Sequence, residues 1–302
     1  MISENMYSKY LSGNLIGPVV FDGEERFNES TVYSQVCPDC DHKWHGMAEI
    51  DVDYKDFPND LISYSLNNYG YRCDDFNSQD AENNFLFSGC SVTYGVGVPY
   101  NASWAYQLNK SLGGEKFFNL AINGGSIKTC IVDIQNYITK FGKPKAVFLM
   151  LPNIARYYFF DTLEDGSFNM KIKLFNKEDR KDPESKAHAF DTIMTKDVLL
   201  FNTVHDMLIL EQYLKAIGVP FFWTTWARRL KESFSKIPFE NYFEIDGEAL
   251  SFIYDEVAPK ELTKTKYWSK SRDILHPPVC VHYAYYKFFK KEWNERSNTK
   301  DA

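Results

Sequence analysis

From about residue 61 onward, short apolar runs alternate with longer amphipathic stretches. The runs have the length of buried strands, whereas the amphipathic stretches repeat apolar residues at steps of three and four, which is typical of helices. The predicted strands are 85–88, 116–120, 145–151 and 219–224, and the predicted helices are 103–112, 126–141, 197–217 and 278–293. This alternation predicts parallel strands joined by helical crossovers, so we expect an α/β fold, a three-layer α/β/α sandwich with a central parallel sheet.

The helix predicted over 197–217 has the clearest periodicity. One buried stripe is expected from Leu200, Val204, Met207, Leu210, Leu214 and Ile217. Gly218 follows at the position where a left-handed residue closes a helix, and Pro220 prevents the helix from continuing. The chain then enters the strand predicted over 219–224.

The domain organisation follows from where this alternation begins and where it is interrupted. Residues 1–60 contain turn signals and few periodic segments, which predicts an irregular N-terminal extension. Residues 61–296 form one predicted domain. The span 155–196 interrupts its pattern and includes the charged run 176–183. Since long structureless loops are uncommon inside domains, we interpret this span as an insertion over the site, with a mobile loop as the alternative.

Composition excludes several classes of function. The net charge is −7 and no basic cluster occurs, which argues against nucleic-acid binding. No apolar stretch approaches the roughly 20 residues of a membrane span, and the N-terminus lacks a signal-peptide pattern, so we expect a cytoplasmic protein. Neither a Gly-x-Gly-x-x-Gly nor a Walker-type loop is present, so no cofactor is expected.

Six cysteines occur, and their spacing indicates a reduced compartment rather than a disulfide framework. Four are scattered singly: Cys73, Cys90, Cys130 and Cys280. The others form a Cys-x-x-Cys pair with two nearby histidines, namely Cys37, Cys40, His42 and His45. Two thiolates and two imidazoles can hold zinc in tetrahedral geometry, but this spacing is cramped. The alternative is a solvent-facing loop with incidental ligands.

A serine on a glycine-flanked turn is the main candidate for chemistry. Ser91 lies within Gly89–Gly95, directly after the strand predicted over 85–88, where its hydroxyl can face a cleft. Near the other end of the chain, Asp273 and His276 supply a carboxylate and an imidazole. These three groups are the minimum set for acyl transfer by a serine nucleophile. The alternative for Ser91 alone is a turn serine that caps the following segment.

Several separated blocks resemble motifs of the SGNH, or GDSL-type, serine hydrolases. Residues 89–95, Gly-Cys-Ser-Val-Thr-Tyr-Gly, are similar to the family's Gly-Asp-Ser block, and 66–72 resemble the Asn-x-x-Gly-Tyr-Arg segment that often precedes it. The remaining matches are Gly124 within 119–126, Asn153 at the end of 149–153, Asp-x-x-His-Pro at 273–277, and a second histidine, His282. The resemblance implies the family's flavodoxin-like topology.

The resemblance also implies a role for each matched residue. Ser91 is the expected nucleophile, His276 its base, and Asp273 the group that orients the imidazole. The backbone amides of Ser91 and Gly124 and the side-chain amide of Asn153 are expected to form the oxyanion hole. His282 is interpreted as structural.

Two positions depart from the family pattern. Cys90 replaces the aspartate of the first block, a residue that we expect to support the turn. The third block reads Leu-Pro-Asn-Ile over 151–154 instead of Gly-x-Asn-Asp, which predicts a different setting for Asn153. Neither change removes a reacting group.

The implied activity is hydrolysis of carboxylic esters through an acyl-enzyme. The implied substrate is a small-molecule or carbohydrate ester, often an acetyl group on a sugar. Two alternatives remain: an O-acyltransferase that uses the same three residues, and a non-catalytic carbohydrate-binding module on the same fold.

Overall fold

A computed structural model of the 302-residue chain describes residues 32–33, 64–67, 69–162, 168–173, 194–245, 260–265, 268–269, 271 and 276–298. The strands are β1 (Val32–Tyr33), β2 (Tyr64–Ser65), β3 (Leu86–Gly89), β4 (Phe118–Asn119), β5 (Val147–Leu151), β6 (Tyr157–Thr162), β7 (Phe168–Lys173) and β8 (Phe221–Thr225). The α-helices are α1 (Ser91–Tyr94), α2 (Trp104–Ser111), α3 (Ile127–Phe141), α4 (Lys196–Ala216), α5 (Arg228–Phe234), α6 (Lys260–Thr263) and α7 (Val279–Asn298). Short 3-10 turns cover Ala81–Asn83 and Tyr100–Ala102.

A four-stranded sheet with the order β4–β3–β5–β8 forms the centre of the molecule, and all its neighbouring strands pair in parallel. Numbered along the chain, this order is 2-1-3-4, the arrangement of a flavodoxin-like sheet. The predicted parallel α/β fold is confirmed. Each described residue of β3, β5 and β8 is buried, as expected for strands covered on both faces.

Helices α2 and α7 cover one face of this sheet. Phe87, Phe148 and Phe222 occupy adjacent registered positions on β3, β5 and β8, and their rings stack with centroids 5.3 Å apart in each pair. Trp104 of α2 packs edge-on against Phe87, and Phe289 of α7 packs edge-on against Phe148. Aromatic side chains therefore fill the interface between this helix layer and the sheet.

Helices α3 and α4 cover the opposite face. Because side chains alternate along a strand, Leu86 and Trp223 point away from the phenylalanine row. Trp223 donates from Nε1 to Glu211 Oε1 of α4 at 2.8 Å. Phe118, the registered partner of Leu86, packs against Tyr137 of α3 with ring centroids 6.0 Å apart. The molecule is thus a three-layer α/β/α sandwich.

Local sequence signals set the ends of these helices. Ser126 caps α3 in a reciprocal capping box with Thr129, which satisfies two amides of the first turn. At the end of α4, Gly218 has φ +75° and the amide of Val219 donates to the carbonyl of Leu214 at 2.9 Å. This is the glycine-closed end that the sequence predicts.

The stripe predicted on α4 is buried only in its second half. Met207, Leu210 and Leu214 are buried in the core, whereas the remaining predicted members are half-buried. Apolar residues elsewhere on α4 face solvent, and Phe201 is 70% exposed. The buried part lies next to Glu211, where the helix meets β8.

Two antiparallel strand pairs lie outside the central sheet. Strand β1, within the predicted N-terminal extension, pairs with β2. Strands β6 and β7 pair over six residues each within the span 155–196. This span therefore contains regular structure in its first part.

Candidate active site

The turn that carries Ser91 depends on the glycine at the end of β3. Gly89 has φ +154°, and a Cβ there would lie 2.2 Å from Thr93 Oγ1 and 2.8 Å from the carbonyl oxygen of Met150. Only glycine fits such a close approach. The chain can therefore turn sharply at the carboxyl end of the strand. Ser91 follows as the first residue of α1 and is 3% exposed.

The position of Ser91 leaves one backbone donor available. As the first residue of a helix, its N–H has no intrahelical acceptor. Its Oγ lies 4.0 Å from Cys90 Sγ, and among the described residues the serine hydroxyl has no closer polar partner. Cys90 is fully buried and precedes α1 without a side-chain bond to its first turn, so it contributes packing rather than capping at the aspartate position.

A buried arginine fixes the loop that follows α1. Arg72 is 1% exposed and donates from its guanidinium to the carbonyl oxygens of Tyr94 (3.1 Å), Gly95 (2.7 Å) and Val98 (3.2 Å). These bonds account for the arginine in the block at 66–72. Because the loop begins at the last residue of α1, Arg72 also restrains the one-turn helix that starts at Ser91.

The loop after β4 lies directly against the serine turn. The amide of Ile122 donates to the carbonyl of Gly89 at 3.3 Å, and the amide of Gly125 closes a turn onto the carbonyl of Ile122 at 2.9 Å. Gly124 is the third residue of this turn and has φ +78°, a conformation that favours glycine. Among the described residues, no acceptor bonds to the Gly124 amide, so this donor is available at the site.

The loop after β5 orients the amide of Asn153. Its Oδ1 accepts from the backbone N–H of Ala155 at 2.9 Å. This bond fixes the orientation of the side-chain amide. Nδ2 has no acceptor among the described residues, so it remains available as a donor. The Leu-Pro-Asn-Ile sequence therefore still yields an oriented donor at the family's asparagine position. Arg156 links this loop to the previous one by donating from Nη1 to the carbonyl of Gly125 at 3.3 Å.

Sheet topology brings these three loops together. Strands β4, β3 and β5 are neighbours, and each is followed at its carboxyl end by one expected site residue: Gly124, Ser91 and Asn153. The order of connections reverses between β3 and β5, which is where ligands bind in open parallel sheets. The loops that carry three uncharged hydrogen-bond donors thus adjoin one another at this end of the sheet, and donors of this kind suit a developing oxyanion.

His276 lies just before α7, a helix that covers one face of the sheet. It is half-buried, and its carbonyl oxygen accepts from Ser271 Oγ at 2.7 Å. Its charge helps to lower the pKa of His282. Asp273 lies outside the described residues, as do the zinc candidates Cys37, Cys40, His42 and His45.

His282 performs the structural role expected from the sequence. It is fully buried, and the amide of Trp104, the first residue of α2, donates to its Nδ1 at 3.2 Å. Burial lowers the pKa of His282 to about 3, with further lowering by the nearby charges of His276 and Arg72. The ring is therefore neutral and caps the beginning of α2.

Similarity to known proteins is found among solved structures. No protein-family model matches the sequence, and no curated protein gives a significant match. Among solved structures, the chain is similar to a crystal structure of TesA, with 12% identity and a TM-score of 0.38. The alignment covers 69% of this chain and 96% of the TesA chain.

Within the part of the chain that the structure describes, no group of three or more histidine, cysteine or acidic side chains is arranged to hold a metal ion. None of the described helices combines the length and apolarity needed to cross a bilayer. The four single cysteines are buried free thiols, and burial raises the pKa of Cys73 and Cys130.

Proposed function

We propose that this protein is a serine hydrolase that cleaves carboxylic esters through an acyl-enzyme on Ser91. The observation that carries the proposal is the convergence of three loops at the carboxyl ends of β3, β4 and β5. There, hydrogen bonds join the loop that carries Ser91 to the loop that carries Gly124, and the latter to the loop that carries Asn153.

The proposed reaction begins when Ser91 Oγ attacks the ester carbonyl and His276 takes the hydroxyl proton. The carbonyl oxygen gains the negative charge and accepts hydrogen bonds from the three amides. Collapse expels the alcohol, which leaves with the proton from His276. A water molecule, deprotonated by the same imidazole, then attacks the acyl-enzyme. The bond between the acyl carbon and Ser91 Oγ breaks, Oγ takes the proton back from His276, and the carboxylic acid is released. In this proposal Asp273 orients His276, as the resemblance implies.

A carbohydrate ester is the proposed natural substrate, on the basis of the sequence resemblance. Transfer of the acyl group to a sugar hydroxyl would use the same residues, because only the second nucleophile differs. A binding module on this fold would lack both reactions.

Covalent labelling tests the nucleophile directly. Incubation with a fluorophosphonate should add one adduct at Ser91, detected by mass spectrometry of the digested protein, and Ser91→Ala should abolish it. The matched control is Ser111→Ala at the exposed end of α2, which should label as the wild type does. Absence of an adduct at Ser91, together with no turnover of short 4-nitrophenyl esters, would contradict the proposal and favour the binding module.

A second variant tests the oxyanion hole. Asn153→Ala removes the side-chain donor, and one such donor is typically worth about 10²–10³ in kcat. Steady-state hydrolysis of 4-nitrophenyl butyrate measures the loss. A variant with undiminished kcat would remove Asn153 from the proposed site.

A further inference from the structure

A cavity of about 260 Å³ lies beside the candidate active site, between the beginning of α3, the first half of α4 and the loop after β5. Its volume is several times the roughly 30 Å³ share of one water molecule, so a short chain of heavy atoms fits. The lining includes Ile127, Lys128, Ile154, Arg156, Leu199 and Asp206. Apolar side chains from three separate elements thus meet three charged ones.

The charges in this cavity are not balanced. Lys128 and Asp206 form an ion pair with each other, and the carboxylate side chain is largely buried. Arg156 has no acidic partner among the described residues, and its side-chain bond is the one from Nη1 to the carbonyl of Gly125. A guanidinium has five N–H donors in a fork that matches a carboxylate. Arg156 therefore has donors left for an anionic ligand.

The location of the cavity indicates which part of an ester it receives. In the proposed reaction, His276 must lie beside the leaving alcohol to protonate it, and this residue precedes α7, on the other face of the sheet. The proposed position of the carbonyl oxygen is between the donors of Gly124 and Asn153. The acyl group must therefore extend in a third direction. The cavity lies on the α3–α4 face, on the other side of the sheet from α7. Its wall begins at Ile154, the residue after Asn153.

We propose that this cavity binds the acyl part of the substrate, and that Arg156 pairs with a carboxylate at the far end of that acyl group. The inference rests on the proposed esterase activity and narrows its substrate class to half-esters of short dicarboxylic acids. Ile127, Ile154 and Leu199 contact the methylene groups, and the guanidinium supplies the specificity for the terminal charge.

Two esters with the same leaving group and the same acyl chain length test this assignment. The wild type should hydrolyse the 4-nitrophenyl half-ester of glutaric acid with a kcat/KM about tenfold or more above that of 4-nitrophenyl pentanoate. Arg156→Gln should reduce the ratio of the two constants by a similar factor, and Arg156→Lys should reduce it less. Because the ratio is compared, a general loss of activity in either variant cancels.

Lys143→Gln is the matched control for loss of one positive charge, since Lys143 is exposed in the loop before β5, at the amino ends of the strands. It should leave both constants unchanged. A wild-type ratio at or below one, with the neutral ester hydrolysed, would overturn the cavity assignment but not the esterase.

Binding of glutarate separates the two proposals if no ester is hydrolysed. Isothermal titration calorimetry of the wild type with glutarate should show saturable binding that Arg156→Gln abolishes. Binding without hydrolysis would retain the anion site and reject the esterase. If the neutral ester is hydrolysed, but glutarate does not bind and the half-ester is not preferred, the esterase is retained and the anion site is rejected.

Discussion

The two faces of the central sheet are covered in different ways. On the α2–α7 face, the row of Phe87, Phe148 and Phe222 continues into Phe289, which stacks on Trp104 with centroids 4.4 Å apart and planes 8° from parallel. Such rings bury large apolar areas and interlock, so this face is a rigid aromatic layer.

The α3–α4 face contains buried polar groups and a cavity. Glu211 accepts from Trp223 Nε1 and from the backbone amides of Glu240 (3.2 Å) and Asn241 (2.9 Å). Asp133 of α3 is 1% exposed, and burial raises its pKa well above the ordinary value. The cavity lined by Arg156 lies on this same face.

This difference assigns different tasks to the two layers. The proposed base, His276, precedes α7, and His282 on the same helix accepts a hydrogen bond from the beginning of α2 in the aromatic layer. The proposed substrate pocket lies in the polar layer, where charges select a ligand. Three predictions test this comparison.

Removing a ring from the aromatic layer should have the largest effect. Phe289→Ala deletes a fully buried ring that packs on Trp104, Phe148 and Phe243, and such truncations cost about 3–5 kcal/mol of unfolding free energy. Urea denaturation measures the loss. Phe201→Ala, the same change at an exposed site on α4, should stay within about 0.5 kcal/mol of the wild type. Equal effects would show that the aromatic layer is not a packed core.

Acidification should weaken the aromatic layer through His282. The folded-state pKa of about 3 lies below the unfolded value of about 6.5, so the unfolded chain binds the proton more tightly. Stability from this group is complete above pH 6.5 and is lost as the pH falls through that window toward 3. Between pH 7 and pH 5 the expected loss is about 2 kcal/mol.

Urea denaturation at both pH values measures this loss in the wild type and in His282→Gln, whose side-chain oxygen can still accept from Trp104. The variant should lose less stability on acidification. His205→Gln, at an exposed histidine of α4, should retain the wild-type dependence. If His282→Gln also retains the wild-type pH dependence, His282 is not the group that causes the loss of stability.

The polar layer should respond to pH in the opposite sense. The folded-state pKa of Asp133 is raised by burial, an effect that Tyr71 opposes, so the folded protein holds the proton more tightly than the unfolded chain. Stability from this group is complete below the unfolded pKa of about 3.9 and is lost as the pH rises through the folded-state value. Asp133→Asn removes this dependence.

The unfolding free energy of Asp133→Asn, relative to the wild type, should therefore increase as the pH rises from 5 to 8. Denaturation midpoints at fixed ionic strength measure the change. Glu115→Gln removes one negative charge at an exposed position and should show no such trend. A constant difference between Asp133→Asn and the wild type would contradict a protonated Asp133.

The sequence predicted the central strands and the main helices because their periodicities reflect burial. Strands 145–151 and 219–224 were expected close to where β5 and β8 lie, and helix 126–141 coincides with α3 and its cap. The β6–β7 pair was not predicted, because β6 begins with four consecutive aromatic residues and lacks apolar–polar alternation. An Asp-Gly pair at 165–166, a hairpin turn signal, was the available clue.

For the candidate site, the sequence indicated the functional residues but not the contacts that hold their loops in place. Ser91, Gly124 and Asn153 were expected at strand ends, and the structure brings their loops together, while their chemical roles remain predictions. The three carbonyls that Arg72 holds could not be inferred, because these contacts join residues more than 20 positions apart. The pocket around Arg156 was missed for the same reason.

The phenylalanine row also determines how far along the sheet each strand can lie. Side chains alternate between faces, so a shift of β5 by one residue, about 3.3 Å, would move Phe148 out of the row and into the opposite layer. Such a shift would also displace Asn153, which follows β5, relative to Ser91, which follows β3. Three stacked rings in the interior thus set the alignment of two loops at the surface.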